Sequence, residues 1–160
     1  MSMLIAVSGL ATAWIADRAR RVSAVVLDPY SGEVYAYASW PSFDANDFQA
    51  IAADDPGRFI DPIVSTVYEP GSVFKAFTMA ASINEGKITG DSTFVDTGEV
   101  DIDGYKIKNS DGKAHGVQTM EYALDESLNT GAIYAKEQIG NQKFLEYLKN
   151  FGFGSPTGIE

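Results

Sequence analysis

Ser72 and Lys75 stand three residues apart in a segment, Ser72 to Glu85, that reads as a helix. At that spacing two side chains share one face, a turn apart. A hydroxyl near a helix N-terminus sits at the positive end of the macrodipole, beside backbone N–H groups without intrahelical partners. That setting favours a developing alkoxide or oxyanion. The lysine's neighbours are Val73, Phe74, Phe77 and Met79. An ammonium in such company is desolvated, and desolvation lowers its pKa. At an ordinary pKa of ~10.4, about one lysine in 2,500 is neutral at pH 7, so making it fully available as a base is worth ~4–5 kcal/mol. The pair is a candidate nucleophile and general base. A capping serine and a lysine whose stem lies along apolar surface give the same pattern. The apolar helix and the lack of a neighbouring histidine favour the chemical reading.

A second candidate is Ser127-Leu128-Asn129, between two helical stretches. Residues two apart do not share a helix face, so both reach one point only from a turn. The serine offers a proton shuttle and the asparagine an amide for a peptide-like substrate. Two helix-capping residues would look no different.

The elements that must position these groups are legible in outline. Ser23 to Asp28 is a short Val-rich run, expected as a buried strand. Asp28-Pro-Tyr-Ser-Gly32 has turn chemistry, and Glu33 to Ser39 alternates as a returning strand. Trp40 to Pro62, rich in Pro and Asp, reads as a long loop with one helical turn near 48–53. Pro70-Gly71 before the Ser72 helix and Gly86 after it are start and stop signals. The apolar residues of that helix cover nearly every side, so it is expected to be buried all round. Thr93 to Lys108 alternates in short runs, with Asp103-Gly104 as a two-residue hairpin turn. Thr119 is expected to cap a helix through Glu126. Two more helices follow, Thr130–Ile139 and Gln142–Phe151, broken at Gly140-Asn141 and stopped by Gly152. Tyr134, Leu145, Tyr147 and Leu148 are expected as core.

Composition narrows the chemistry. The 160 residues have ordinary globular content, 45% hydrophobic and 21% charged. Cysteine is absent, which excludes disulfide scaffolds, zinc-thiolate sites and cysteine nucleophiles. The one histidine, His115, excludes a multi-histidine zinc site, and a Ser-His-Asp hydrolase survives only if His115 is its base. In its polar, Gly-flanked loop His115 is expected at the surface. The net charge of −10 disfavours nucleic acid as a partner. Asp101-x-Asp103-Gly104 and Asp44-Ala-Asn46-Asp47 hint at calcium but lack the fixed ligand spacing, so solvated turns are expected and no metal. Met3 to Ala16 is apolar but, at fourteen residues, shorter than the ~20 needed to span a bilayer. It is expected as a helix packed on the sheet, with Arg18, Arg20 and Arg21 on a polar face. A remnant of an export or anchor segment is the alternative.

Ser-x-x-Lys on a Pro-Gly-opened helix, followed 55 residues later by Ser-x-Asn, resembles the penicillin-binding proteins, a family of serine acyl transferases. The likeness is wider than the two motifs. Val25 to Ser39 resembles the family's first hairpin, and Trp40-Pro-Ser-Phe-Asp-Ala-Asn46 the segment after it. Tyr68-Glu-Pro-Gly-Ser-Val-Phe-Lys75 is similar to the active-site signature of the class B division and elongation type. Phe151-Gly-Phe-Gly-Ser-Pro-Thr-Gly-Ile159 is similar to a later Gly-rich turn. The resemblance covers roughly residues 23–160.

The resemblance implies an α+β fold of the transpeptidase and β-lactamase type. It implies Ser72 as acylated nucleophile, Lys75 as base, Ser127 as proton relay and Asn129 as a ligand of the substrate amide, with no cofactor. It implies D-Ala-D-Ala transpeptidation of peptidoglycan stem peptides and covalent capture of β-lactams, outside the cytoplasmic membrane, in division or elongation machinery. A Lys-Thr-Gly motif, the family's third, does not occur; Gly86-Lys87-Ile88-Thr89-Gly90 is an interrupted echo. The expected organisation is an N-terminal helix at 1–22 and the N-terminal part of a transpeptidase domain at 23–160, with later strands missing. A serine β-lactamase or β-lactam sensor, and an inactive fragment or scaffold, are the competing readings.

Overall fold

The computed structural model describes residues 21–49 and 55–158. The expected helix of residues 1–22 falls outside them up to residue 20, and Val22 already belongs to a strand. Most of the expected turn near 48–53 also lies outside the described residues. The chain divides into two compact units, residues 1–68 with 157–160 and residues 69–156.

In the first unit β1 (Val22–Leu27) pairs antiparallel with β2 (Val34–Trp40). Asp28 builds the connection: its Oδ1 accepts the N–H groups of Tyr30 and Ser31, and its Oδ2 accepts the Tyr35 hydroxyl at 2.5 Å. The Tyr35 bond, followed by the backbone donors, lowers the Asp28 pKa to about 2. Strand β1 is not buried as its composition suggests, since its residues alternate between half-buried and exposed. Among the described residues β1 and β2 form a sheet of two strands, and the outward-facing residues of β1 stay exposed. Among the described residues the loop that follows holds short 3-10 turns and, further on, a helical turn, α1 (Pro62–Ser65), capped by Asp61. Asp44 likewise accepts from Asn46 N and Nδ2, so that acidic cluster caps its own turn.

The second unit carries both motifs. A 3-10 turn, Gly71–Phe74, runs into α2 (Lys75–Asn84). Two short antiparallel ladders follow, each its own sheet: β3 (Thr93–Asp96) pairs with β6 (Gly116–Thr119), and β4 (Glu99–Ile102) with β5 (Tyr105–Lys108). Asp103 and Gly104 both have positive φ, 52° and 85°, as a primed hairpin turn requires. Asp101 Oδ1 accepts the Gly104 N–H, so its carboxylate serves the turn. Helix α3 (Met120–Asp125) is capped by the Thr119 hydroxyl, and α4 (Asn129–Asn150) kinks at Gly140, whose φ is 74°.

The core of this unit gathers Met79, Ile88, Phe94, Met120, Ala123, Leu128 and Ala135, with Tyr122 and Tyr134 packed against it. Helices α2 and α4 are tied by the buried Ser82 hydroxyl, which donates to Ala135 O at 2.7 Å. Two expectations fail here. The segment Ser72 to Glu85 is not buried all round: Val73, on the 3-10 turn, is 68% exposed and Ile83, in α2, 52%. Its apolar surroundings come from one side only, where Lys75, Thr78, Met79, Ala81 and Ser82 face α4 and the core. Leu145, beyond the Gly140 kink, is also exposed, because the kink turns the second half of α4 onto a new course. Tyr147 instead closes a polar contact with Glu85 and Asn84.

Candidate active site

Ser72 lies on the 3-10 turn before α2, not in a first α-helical turn, and its backbone carbonyl accepts the Lys75 N–H. Its side chain is exposed and makes no hydrogen bond among the described residues. A ring stack anchors this turn. Phe74, between the two motif residues, meets Phe77, Phe144 and Phe153 with centroids 5.2–6.4 Å apart. Phe77 in turn meets Phe151 and Phe153. The Phe151-Gly-Phe-Gly segment therefore packs on the back of the Ser72 turn.

Lys75 is 8% exposed. Its ammonium donates to Ser127 O at 2.5 Å and to Ser127 Oγ at 3.0 Å. Among the described residues it has no carboxylate partner. Burial without a counter-ion lowers its pKa from the ordinary 10.5. The motif lysine and the mid-chain serine, 52 residues apart in sequence, thus form one polar contact.

Ser127 occupies an unusual backbone position. Its φ is +54°, in the left-handed region. Its N–H bonds to Leu124 O, and the Leu128 N–H bonds to Ala123 O. That is the paired 5→2 and 6→1 pattern of a Schellman end to α3, in which glycine usually fills the position Ser127 holds. A non-glycine residue there carries strain of about 1 kcal/mol. The strained turn points both the hydroxyl and the carbonyl of Ser127 at Lys75.

Asn129 opens α4. Its Nδ2 donates to Lys108 O at 2.6 Å, which fixes the amide and leaves Oδ1 free to accept. Ser127 meets Lys75 directly, while the Asn129 side chain two residues on is held by Lys108 O. Lys87 to Gly90 does not act as a third motif, because it is a turn whose Ile88 is buried in the core.

His115 corrects the sequence reading. It is 18% exposed, not a surface residue. Its Nδ1 lies 2.6 Å from Asp96 Oδ2 and its Nε2 3.0 Å from Asp111 Oδ2. Both ring nitrogens are engaged by carboxylates, so His115 has none left to serve as base for a serine. The bond to Asp96 raises its pKa above 6.5, aided by the charge of Asp111 and opposed by burial. Asp96 itself is wholly buried. Burial disfavours its charge, but bonds from Gly98, Thr130 and His115 outweigh that and hold its carboxyl well below the usual range.

The family model described as the penicillin binding protein transpeptidase domain matches residues 22–160. The chain belongs to the penicillin-binding protein transpeptidase family. Stage V sporulation protein D of Bacillus subtilis is 37% identical over 138 residues, 86% of this chain and 21% of that protein. The peptidoglycan D,D-transpeptidase MrdA of Escherichia coli is 29% identical over 151 residues, 88% of this chain and 24% of the other. Penicillin-binding protein 3 of Mycobacterium tuberculosis, solved in complex with ampicillin, superposes with a TM-score of 0.78 at 32% identity. That match covers 88% of this chain and 31% of the other. The α+β transpeptidase fold is thus shared. This transpeptidase-family chain spans about a fifth of the length of the curated relatives it matches.

Proposed function

We propose that this chain carries the nucleophile-bearing part of a serine-type peptidoglycan D,D-transpeptidase. The observation that carries the reading is the buried Lys75 ammonium, without a carboxylate partner among the described residues, one turn after the exposed Ser72 and bonded to Ser127.

In this reading Ser72 Oγ attacks the carbonyl carbon of the penultimate D-Ala in a stem peptide. Its proton passes to the neutral amine of Lys75, whose lowered pKa makes that form accessible. The tetrahedral intermediate collapses, the C–N bond to the terminal D-Ala breaks, and the leaving nitrogen takes a proton from Lys75 through the Ser127 hydroxyl. The 3.0 Å contact between the two supports that relay. Asn129 Oδ1 accepts an amide N–H of the substrate. The amine of a neighbouring stem then takes the acyl group from Ser72. β-Lactams acylate Ser72 by the same route. The protein acts on the outer side of the cytoplasmic membrane, with division or elongation machinery as its partner.

The test is labelling of the full-length protein with a fluorescent penicillin. We expect a stable label in the wild type and none in Ser72→Ala. A folded wild type that takes no label overturns the proposal. Rapid release of the label from Ser72 would replace it with the β-lactamase reading.

A further inference from the structure

Asp96 is the last residue of β3, and five donor groups from four segments converge on its buried carboxylate. Oδ1 accepts the Gly98 N–H at 2.8 Å and the Thr130 hydroxyl at 2.7 Å. Oδ2 accepts the His115 N–H at 3.0 Å and pairs with His115 Nδ1. Asn109 Nδ2 lies 3.0 Å from both oxygens. No lysine or arginine takes part, and no buried side-chain polar atom is left unpaired among the described residues. A carboxylate offers about four lone-pair sites, so this one is saturated. Gly98 is required where it donates to Asp96: its φ is 80° and a Cβ there would stand 2.9 Å from the backbone of Lys113 and Ala114.

The cluster is adjacent in sequence to the candidate site on two sides. Thr130 follows Asn129, and Asn109 follows Lys108, whose carbonyl holds the Asn129 amide. Thr130 and Asn109 are also joined directly, by the Thr130 N–H to Asn109 Oδ1 at 3.2 Å. The turn from Ser127 to Asn129 is therefore gripped from one end by Lys75 and from the other by Asp96. The Ser127 backbone is strained and does not hold this place by local preference.

We propose that Asp96, with Asn109, His115 and Thr130, forms a positioning cluster that sets the Ser127–Asn129 turn against Lys75, so that its loss slows acylation of Ser72. None of the four touches the substrate. The inference rests on the transpeptidase reading above. The charged groups that act on His115 are Asp96 from β3 and Asp111 from the β5–β6 loop, while the Tyr122 ring of α3 packs beside it. With its pKa raised, His115 is cationic at mildly acidic pH and bridges the two carboxylates. On deprotonation it loses the Nε2–H bond to Asp111 and keeps one to Asp96.

The experiment measures the acylation rate constant of the full-length protein with a fluorescent penicillin, normalised to titrated active sites so that unfolded molecules do not count. Thr130→Val removes one hydroxyl, and we expect the rate to fall about 10- to 100-fold, the scale of a small misplacement. Thr130→Ser restores the hydroxyl and should recover most of it. An unchanged rate in Thr130→Val overturns the proposal. If Thr130→Val does not fold, His115→Gln decides. The rate should fall in His115→Gln too, and by more at mildly acidic pH, where His115 also holds Asp111, than at alkaline pH, where only the Asp96 bond is kept; an unchanged rate across that range overturns the cluster's role. A wild type that takes no label is the failure of the transpeptidase reading instead.

Discussion

Lys75 Nζ lies 3.0 Å from Ser127 Oγ and also holds the carbonyl of Ser127, so one buried cation fixes both polar groups of a strained residue. Replacing that lysine separates its chemical role from its structural one. Lys75→Met keeps the length and removes a charge that has no counter-ion. We expect acylation to fall by about 10²–10⁴-fold, the range for a general base. Stability should stay within about 1 kcal/mol of wild type, the lost hydrogen bonds being offset by the relieved burial of charge. Penicillin labelling and chemical denaturation of the same preparations check both halves.

The sign of the lysine's titration gives a second test. A lysine with a depressed folded pKa binds fewer protons in the native state, so stability rises with pH through the window between the folded value and 10.5, and falls as pH drops back through it. Wild type should gain on Lys75→Met across that window. Denaturation midpoints for the two proteins at rising pH measure it, and parallel curves would remove the depressed pKa.

Ser127 sets function against stability. Its place at the end of α3 suits glycine, so Ser127→Gly should relieve strain and stabilise by about 0.5–1 kcal/mol. The same change removes the hydroxyl beside Lys75. We expect a higher melting temperature and a slower acylation together. A variant that melts lower would show that the Lys75 bond to Oγ outweighs the strain.

Much of this arrangement was legible in the chain, and the misses have physical causes. Asp103-Gly104, the Thr119 cap and the break at Gly140 could be read because local backbone chemistry alone decides them. The turn at Ser127 could be read too, but its left-handed backbone could not be, because a Schellman end is signalled by glycine and tertiary contacts hold a serine there. The Asp96 cluster was missed although one signal was present. Phe94 and Asp96 sit two apart on one strand and so face the same way, which puts the acid on the core side. Its side-chain partners lie 13 to 34 residues on, in the β5–β6 loop and at the start of α4, beyond any periodicity. The side of α2 that would stay open was equally hidden, since pattern reports polarity and not which neighbours exist.

Gly131 tests the packing beneath the site. It is buried in α4 where that helix meets α3 and β3. A Cβ there would stand 2.5 Å from Ala123 Cβ and 3.2 Å from Phe94 Cζ. Gly131→Ala gains helix propensity of about 1 kcal/mol, but must push two packed groups aside. We expect a net loss of about 1–3 kcal/mol in denaturation experiments. A stabilised variant would mean that α3 and α4 can separate without cost.

The Asp96–His115 pair should shape stability against pH in a defined way. Asp96 has a depressed folded pKa, so its contribution is present above 3.8 and is lost as pH falls through the folded value. His115 has a raised folded pKa, so its contribution is complete below 6.5 and is lost as pH rises through the folded value. The pair contributes in full only between those limits, from about pH 4 to 6.5. His115→Gln cannot titrate, and so the advantage of wild type over it should be flat across that window and shrink on the alkaline side. Urea denaturation of both proteins from pH 4 to 9 measures the difference. A gap that widens above pH 7 would mean that the imidazole is held neutral, with Nε2 unprotonated against Asp111.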